Sequence, residues 1–394
     1  MTKFLPFRAL RYSAGQDLTT VISPPYDVLS PEDRAHYAAK SPNNVVVVDC
    51  PLESDGDARY TQAAATISGW QSSGVVVRDA APTFTIYRMK FTDAQGRARE
   101  TAGVLGAIEV CDEGAGPVLP HERTTPKAKS DRLDLTRATR MNLSPVWGLS
   151  LASGLTSLLA EPGTEVGRVT DEDGVVHIVE IIDDSGRVSE IQHLMASAPT
   201  VIADGHHRYA VSRTYRDEQH AANGSKDADY TLAYVAELNE EQLNVAAIHR
   251  LYSAIDHDSM REALRASFDL QEIGAVSEST LSEMESRNAM CLVHPNGSGT
   301  LLIEKPGVFA EVRNLDGAKL EHALAQTPHE LTYQHGVTEV LHELRNGRGT
   351  CAILIKPVTV AEIQRTADEG LLMPPKSTFF TPKLLTGLVF RPLD

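Results

Sequence analysis

The feature that most constrains the fold is an abrupt change of period near residue 200. Thr200 to Ala203 is a short apolar run of strand type, whereas Tyr209 to Gln219 has its apolar side chains at helical spacing. Gly205 lies between them and adopts backbone conformations that are closed to other residues. The sequence therefore predicts a strand-to-helix junction over Asp204 to Arg208, within an α/β fold of mixed sheets.

Other segments predict further strands. Residues 83–91 and 101–110 alternate apolar and polar side chains on either side of turn residues, which predicts an antiparallel hairpin. A second hairpin is expected where residues 175–182 follow the turn pair Asp173-Gly174. Val45 to Val48 is a β-branched run that ends at Asp49, and this pattern predicts a buried strand.

Helix signals divide the chain into regions. Ser30-Pro31 reads as an N-cap followed by a proline at the first helical position. From about residue 256, helices (259–268, 317–326, 337–344) alternate with short strands (290–293, 351–355), as in a separate α/β unit. We therefore expect an N-terminal mixed α/β region over residues 1–150, a core over 151–255 and a C-terminal α/β region over 256–394.

The charge and the cysteines exclude several classes of protein. With 53 acidic and 37 basic residues the net charge is -16, which would repel a nucleic acid. Four cysteines lie far apart without a C-x-x-C pair, a pattern that disfavours zinc clusters and dense disulfides. No apolar run has the length of a signal peptide core or a membrane span. We therefore expect a soluble, cytoplasmic protein.

The junction itself predicts an anion site. A helix that begins after Gly205 directs N–H groups at whatever lies above it, and Arg208 adds a fork of donors that matches phosphate oxygens. His206 and His207 exchange protons near neutral pH, and Asp204 has the oxygens to hold a metal ion or orient a histidine. The alternative interpretation is structural: Asp204 caps the helix and one histidine is buried and hydrogen-bonded.

The second candidate segment runs from His121 to Arg132 and is the most basic patch of the chain. Glu122 is a candidate base or magnesium ligand, while Thr125 stands where the zinc protease motif H-E-x-x-H requires histidine. The alternative is a solvated basic loop before a helix. The predicted phosphate ligands of this segment are His121, Arg123, Thr124, Lys127 and Arg132.

The third candidate segment is Lys376-Ser377-Thr378, with Lys383 nearby. Pro375 stands where a P-loop requires its second glycine, so the segment is not a Walker motif. A lysine and two hydroxyls remain suited to binding phosphate, and a C-terminal strand with exposed polar residues is the alternative. No G-x-G-x-x-G follows a strand, which leaves nicotinamide and flavin cofactors without support.

Several motifs together carry a family resemblance. They are Pro24-Pro25-Tyr26-Asp27-Val28, Pro120-His121-Glu122-Arg123-Thr124, Ala203-Asp204-Gly205-His206-His207-Arg208-Tyr209, His249-Arg250-Leu251 and the segment from Met373 to Lys383. With these motifs the chain resembles the bacterial and archaeal family known as domain of unknown function 1015 over essentially its whole length. Its loop from Asp204 to Arg208 is also similar to that of the ParB and sulfiredoxin-like superfamily, which includes archaeal free-serine kinases.

The shorter resemblance implies a ParB/sulfiredoxin-like core over residues 151–255, in which Asp204 to Arg208 contacts nucleotide phosphate. In those kinases a glutamate upstream of the loop is the base, and none of the acids between residues 171 and 190 is singled out as its counterpart. Sulfiredoxin chemistry requires a cysteine in the loop, where this chain has His206 and His207. DNA partitioning is disfavoured by the acidic charge and by the lack of a clear helix-turn-helix.

The leading hypothesis is a phosphotransferase, a kinase that moves phosphate from a nucleotide to the hydroxyl of a small metabolite. The resemblance to free-serine kinases implies ADP or ATP with Mg²⁺ as the donor and free serine as a possible acceptor. The alternatives are a protein that binds a nucleotide or phosphate metabolite without turnover, and a phosphohydrolase. The expected partners are a nucleotide and a small molecule, with neither nucleic acid nor membrane. The candidate catalytic residues are Glu122, Asp204, His206 and His207.

Overall fold

The computed structural model describes residues 1–93, 96–120, 129–222, 224, 226–374 and 376–394, except for the side chains of residues 129 and 130. The chain forms two compact units. The first consists of Met1–Asn244, Ala367–Gly370 and Pro382–Asp394, and the second of Val245–Thr366 and Leu371–Thr381.

The α-helices of the described residues are α1 (Leu18–Val21), α2 (Pro31–Lys40), α3 (Val46–Asp49), α4 (Ala58–Ser72), α5 (Lys129–Thr139), α6 (Leu155–Ala160), α7 (Ser185–Ser197), α8 (His206–Ala221), α9 (His257–Arg265), α10 (Ser279–Ser286), α11 (Asp316–Ala323), α12 (Val337–Arg345) and α13 (Val360–Asp368). Over the part of the chain that the structure describes, no helix is both long and apolar enough to cross a bilayer.

The strands are β1 (Phe4–Leu5), β2 (Leu10–Tyr12), β3 (Val76–Arg78), β4 (Phe84–Thr92), β5 (Ala98–Glu109), β6 (Val118–Pro120), β7 (Met141–Asn142), β8 (Val146–Ser150), β9 (Thr164–Thr170), β10 (Val176–Ile182), β11 (Thr200–Asp204), β12 (Tyr230–Glu237), β13 (Asn244–Ala246), β14 (His249–Ser253), β15 (Phe268–Ala275), β16 (Met290–Val293), β17 (Ser298–Glu304), β18 (Glu330–Gln334), β19 (Cys351–Leu354), β20 (Phe379–Thr381) and β21 (Arg391–Pro392).

A nine-stranded mixed sheet organises the first unit. Its order is β6-β11-β8-β12-β5-β4-β10-β9, with β1 paired to β5. The predicted hairpins are confirmed: β4 pairs antiparallel with β5, and β9 pairs antiparallel with β10. The parallel pairs β6–β11 and β8–β12 make the sheet mixed, which confirms the expected α/β class.

The apolar faces of the helices hold this sheet in place. Phe4 and Phe84 stack with ring centroids 5.1 Å apart, and both rings are fully buried. Leu155 of α6, Met195 of α7 and Tyr209 of α8 complete the same buried cluster. Burying side chains of this size is the main favourable contribution to folding, and here it packs α6, α7 and α8 against the sheet.

The prediction of a strand over Val45 to Val48 was wrong. Val45 is the N-cap of the short helix α3, and the helix begins at Val46. The side chain of Asn44 explains the turn: its amide donates to the carbonyls of Thr20 and Ile22 at 2.7 and 3.0 Å, and its Oδ1 accepts from Val46 N at 3.0 Å. Burial of three of the four valines, Val45, Val46 and Val48, therefore overrides their β propensity. Asp49, predicted at the tip of a strand, lies instead at the end of this helix.

The second unit contains a six-stranded sheet in the order β15-β17-β16-β19-β14-β18. The predicted alternation of helices and strands beyond residue 256 is confirmed by α9, α11, α12, β16 and β19. His249 and Arg250 of the resemblance motif are buried in β14, where Arg250 Nη1 donates to Ile248 O at 2.8 Å. Buried polar side chains are usually hydrogen-bonded within the fold, so the burial of His249 and Arg250 is consistent with a structural role for both residues.

A chain of hydrogen bonds crosses the first unit beneath the C-terminal segment. Leu385 N donates to Tyr87 Oη at 3.1 Å, so the tyrosine hydroxyl donates in turn to His177 Nδ1 at 2.7 Å. The opposite ring nitrogen of His177 lies 2.9 Å from Asp171 Oδ2 and therefore carries the proton. Because Tyr87 and His177 are fully buried, each group depends on its neighbour for a partner.

We predict that Tyr87→Phe lowers the free energy of unfolding by about 1–3 kcal/mol, because Leu385 N and His177 Nδ1 both lose their buried partner. Urea denaturation followed by circular dichroism measures this change. Tyr37→Phe is the matched control, since its hydroxyl makes only an exposed 3.5 Å contact with Glu172. An equal loss in both variants would contradict the buried chain.

Candidate functional site

The predicted strand-to-helix junction is confirmed. Strand β11 ends at Asp204, Gly205 turns the chain with φ of 83°, and α8 begins at His206. Gly205 is the N-cap and its carbonyl accepts the first helical bond from Tyr209 N at 2.9 Å. The position requires glycine because the left-handed region is costly for other residues. Asp204 is therefore not the cap, and its carboxylate is available for other contacts.

Arg208 folds back over this turn. Its Nη1 donates to the carbonyl of Pro145, and its Nη2 donates to Asp204 Oδ2 at 3.3 Å. The same nitrogen lies 3.8 Å from Asp27 Oδ2. A Cβ at Gly205 would lie 3.0 Å from Arg208 Cζ and Nε, so the glycine also makes room for the guanidinium. The arginine is thus held at the start of α8 by contacts on three sides.

Lys383 completes the ion-pair cluster. Its Nζ donates to Asp204 Oδ2 at 3.2 Å, across 179 residues of sequence. Burial alone would raise the pKa of Asp204, but Lys383 and Arg208 outweigh it and hold that pKa well below its usual range. Asp204 is therefore ionised at neutral pH and keeps both cations at the junction.

A second cluster lies beside Arg208. The guanidinium of Arg132 stacks on Tyr26, with Cζ 4.3 Å from the ring centroid. Its Nη1 donates to the carbonyl of Asp49 at 2.6 Å and lies 3.2 Å from Asp49 Oδ1. Burial raises the pKa of Tyr26 to about 12. Tyr26, Asp49, Arg132 and Arg208 all line a cavity of about 40 Å³.

The structure thus brings together part of the predicted site. Asp204, Gly205 and Arg208 are in direct contact, and Arg132 shares the cavity with Arg208. His206 is 8% exposed and His207 is half-buried, both in the first turn of α8. Five predicted residues lie outside the described residues: His121, Glu122, Arg123, Thr124 and Lys127.

The third predicted segment belongs to the second unit. There the carbonyl of Lys376 accepts from Arg250 Nη1 at 3.1 Å, and Ser377 Oγ donates to Pro374 O at 2.7 Å. Ser377 and Thr378 are buried, so the exposed strand considered as the alternative does not form at these two residues. A phosphate role for the three residues stays a prediction.

Sequence reasoning missed two residues of the cluster. Asp49 was interpreted only as the polar end of a strand, although a buried aspartate beside Arg132 shapes the cavity. Lys383 was noted near the third segment but not placed with Asp204. Both contacts are long-range, and the one available signal was that Lys383 ends a motif of the resemblance. Among the described residues, no group of three or more His, Cys, Asp or Glu side chains is arranged to hold a metal ion.

Comparison with known proteins gives a family and several solved structures. The model of the family described as "Protein of unknown function (DUF1015)" matches residues 4–318. No curated protein matches the chain. A conserved hypothetical protein from Pyrococcus furiosus is 14% identical, with a TM-score of 0.37 over 69% of this chain and 92% of that one.

Two further solved structures are similar at the same level. A free serine kinase variant in complex with ADP is 14% identical, with a TM-score of 0.37 over 69% of this chain and 89% of its own. SbnI with a C-terminal truncation, from Staphylococcus aureus, is 13% identical, with a TM-score of 0.40 over 73% of this chain and 87% of its own. Related free serine kinase structures contain AMP.

We predict that Gly205→Ala displaces Arg208, whereas Gly174→Ala produces backbone strain alone. Both glycines have φ near 80°, but a Cβ at Gly174 meets nothing within 4 Å. Gly174→Ala should lose about 1 kcal/mol of unfolding free energy, measured in urea, and Gly205→Ala should lose more, because the contacts of Arg208 are lost as well. Only Gly205→Ala should lose the contacts of Arg208 with Asp204 and Pro145 in a crystal structure. An unmoved guanidinium in that variant would refute the packing argument.

Proposed function

The chain belongs to the family of proteins of unknown function DUF1015, and within that family we propose that it is a phosphotransferase. In this proposal it moves phosphate from ADP or ATP to the hydroxyl of a small metabolite, with free serine as the first acceptor. One observation carries the proposal: Arg208 and Lys383 are held by Asp204 at the first turn of a 16-residue helix.

That arrangement suits a phosphate group. The first turn of a helix presents N–H groups without intrahelical partners and a partial positive charge, which together favour an anion. Arg208 adds a planar fork and Lys383 a compact point charge, the two kinds of donor that bind phosphate oxygens in proteins. The sequence resemblance of this loop to the nucleotide-binding loop of free-serine kinases agrees with the same assignment.

The other residues of the site then take distinct roles. Asp204 positions both cations, because it is ionised and in contact with each. Its low pKa makes it a weak proton acceptor, so we assign general base catalysis to Glu122, which lies outside the described residues. His206 and His207, in the first turn of α8, take the role of proton-exchanging groups in this proposal.

In the same proposal, magnesium would bind together with the phosphates of the nucleotide. A carboxylate such as that of Asp204 offers the hard oxygen donors that Mg²⁺ prefers, and this ion is often held by one carboxylate together with phosphate oxygens and waters. When bound, magnesium would neutralise charge that develops on the transferred phosphoryl group.

The second candidate function is a sensor that binds a nucleotide or phosphate metabolite without turnover. The observation that favours it is the pairing of Asp204 with two cations. Their charges lower the pKa of Asp204, so the described junction can bind an anion but is a poor acceptor of a proton. The two functions share the loop and differ in whether a base reaches the acceptor hydroxyl.

We predict that Arg208→Ala weakens nucleotide binding about tenfold or more, because a charged hydrogen bond to an anion contributes roughly 1.5–3 kcal/mol. Isothermal titration calorimetry with ATP, ADP and AMP measures the affinity. The matched control is Arg213→Ala in the same helix, whose side chain pairs with Glu113. Equal affinities in the wild type and Arg208→Ala would remove this loop from the site.

We further predict that the protein with magnesium, ADP or ATP, and a mixture of amino acids and small alcohols forms a phosphate ester, detected by phosphorus NMR. Glu122→Gln should abolish the product while nucleotide binding persists, since the proton acceptor is lost and the loop is intact. Tight nucleotide binding without any product would favour the sensor, and release of inorganic phosphate alone would indicate a hydrolase.

A further inference from the structure

A second and larger cavity, of about 360 Å³, lies in the first unit. Its lining includes Thr20 of α1, Lys40 of α2, and Asp171 and Glu172, which follow strand β9. Sites for small molecules commonly have volumes of roughly 300–1,000 Å³, so this cavity is large enough for one. None of its lining residues belongs to the ion-pair cluster of Asp204, and its chemistry can be considered separately.

Asp171 brings a negative charge without a counter-charge to this lining. Burial alone would raise the pKa of Asp171, but hydrogen bonds from His177 and from Val175 N outweigh burial and lower that pKa. His177 is neutral, because Tyr87 Oη donates to its Nδ1 and its one proton lies on Nε2. No lysine or arginine among the described residues pairs with Asp171. Its side chain is only 18% exposed, and a carboxylate so placed is costly to leave without a cation.

Three hydroxyl groups of the lining have already used their hydrogens. Thr19 Oγ1 donates to Asp17 Oδ1 at 2.8 Å, and Thr20 Oγ1 donates to Asp17 O at 2.9 Å. Ser23 Oγ donates to Pro24 O at 3.0 Å. Each oxygen keeps lone pairs, so these side chains can only accept a further hydrogen bond. The lining is therefore rich in acceptors.

Lys40, the basic residue of the lining, is already paired. Its Nζ donates to Glu172 Oε1 at 2.7 Å and lies 4.1 Å from the ring centroid of Tyr37. Because Lys40 and Glu172 neutralise each other, the charge of Asp171 remains as the net charge of the lining. In agreement with a negative potential, burial raises the pKa of Tyr37 to about 12, and the carboxylates of Glu172 and Asp171 add to that effect.

The ligand that suits this cavity donates hydrogen bonds and carries a positive charge. A phosphate or carboxylate would be repelled by Asp171 and would meet mostly acceptors where it needs donors. Water can donate hydrogen bonds, but it leaves the charge of Asp171 without a counter-charge. A metal ion would leave most of the volume empty, and the described residues offer no group of three or more His, Cys, Asp or Glu side chains arranged to hold one.

We propose that this cavity binds a small organic ammonium compound, whose ammonium group pairs with the carboxylate of Asp171. An ammonium group is a compact positive charge with N–H donors and no acceptor, which matches this lining. The apolar side chains of Ile22, Val169 and Leu385 also line the cavity and suit the carbon atoms of such a compound. The inference goes beyond the proposed phosphotransferase function and does not depend on it.

Pairs of probes that differ in charge test the site. 1,4-Diaminobutane is compared with 1,4-butanediol, and 2-aminoethanol with 1,2-ethanediol, by NMR titration of the full chain at neutral pH and constant ionic strength. At least one amine should bind about tenfold or more tightly than its diol, because the diol cannot form the charged hydrogen bond to Asp171. Equal affinities within both pairs, or displacement of the amine by Mg²⁺ at the same ionic strength, would overturn the proposal.

Asp171→Asn tests the residue that pairs with the ammonium group. The variant lacks the charge and should bind the preferred amine about tenfold or more weakly than the wild type. Asp173→Asn is the matched control, since it removes a charge two residues away whose side chain is outside the lining. This control should bind the amine nearly as well as the wild type. An equal loss in both variants would mean that the amine responds to the general acidity of the surface, and the site would be refuted.

A second variant covers the case in which Asp171→Asn fails to fold, since that carboxylate also accepts from two backbone N–H groups of its turn. Thr170 is exposed and lines the cavity from β9, so Thr170→Lys would place an ammonium group of the protein itself beside Asp171. The added amine should then lose its affinity. Thr164→Lys, at an exposed position of the same strand outside the lining, should leave the affinity nearly unchanged. Undiminished amine binding in Thr170→Lys would contradict the proposal.

Discussion

The junction depends on one carboxylate that binds two cations. Asp204 lies at the end of strand β11, where a charged group is costly to bury without partners. Lys383 and Arg208 provide those partners at 3.2 and 3.3 Å. Since Lys383 comes from the C-terminal segment and Arg208 from α8, the ion pairs connect three separate parts of the first unit. Removing Asp204 would leave two cations without their common partner, so the whole arrangement relies on this residue.

The backbone makes that arrangement possible. Gly205 has both a positive φ and a Cβ position that faces the guanidinium of Arg208 at 3.0 Å. One residue therefore meets a conformational and a steric requirement at once, and glycine alone meets both. The hydrogen-bonded chain from Asp171 through His177 and Tyr87 ends at Leu385 N, two residues beyond Lys383. It supports the segment from which the lysine reaches Asp204.

Local signals in the sequence were sufficient for the junction and insufficient for its surroundings. The strand to Asp204, the glycine turn and α8 follow from period and glycine placement, which act over a few residues. The helix that ends at Asp49 could not be predicted from such local signals, because Asn44 turns the chain through hydrogen bonds to carbonyls some twenty residues away. Contacts between Lys383 and Asp204 span 179 residues, and no local pattern encodes them. The residues of the junction were thus predictable from local pattern and Arg132 from the basic composition of its segment, whereas Asp49 and Lys383 were not placed in the site.

The charge balance of the described site indicates what a phosphate would still need. Arg132, Arg208 and Lys383 pair with four carboxylates, those of Asp27, Asp49, Asp131 and Asp204, so the described cluster has no excess of basic side chains. A phosphate dianion would find helix amides and an arginine fork there, but no net positive charge. For the nucleotide proposed above, the missing charge would come from a divalent cation that accompanies it or from the basic residues that precede Arg132 in the sequence. On this argument, the site would discriminate for a phosphate that arrives with its cation and against free phosphate.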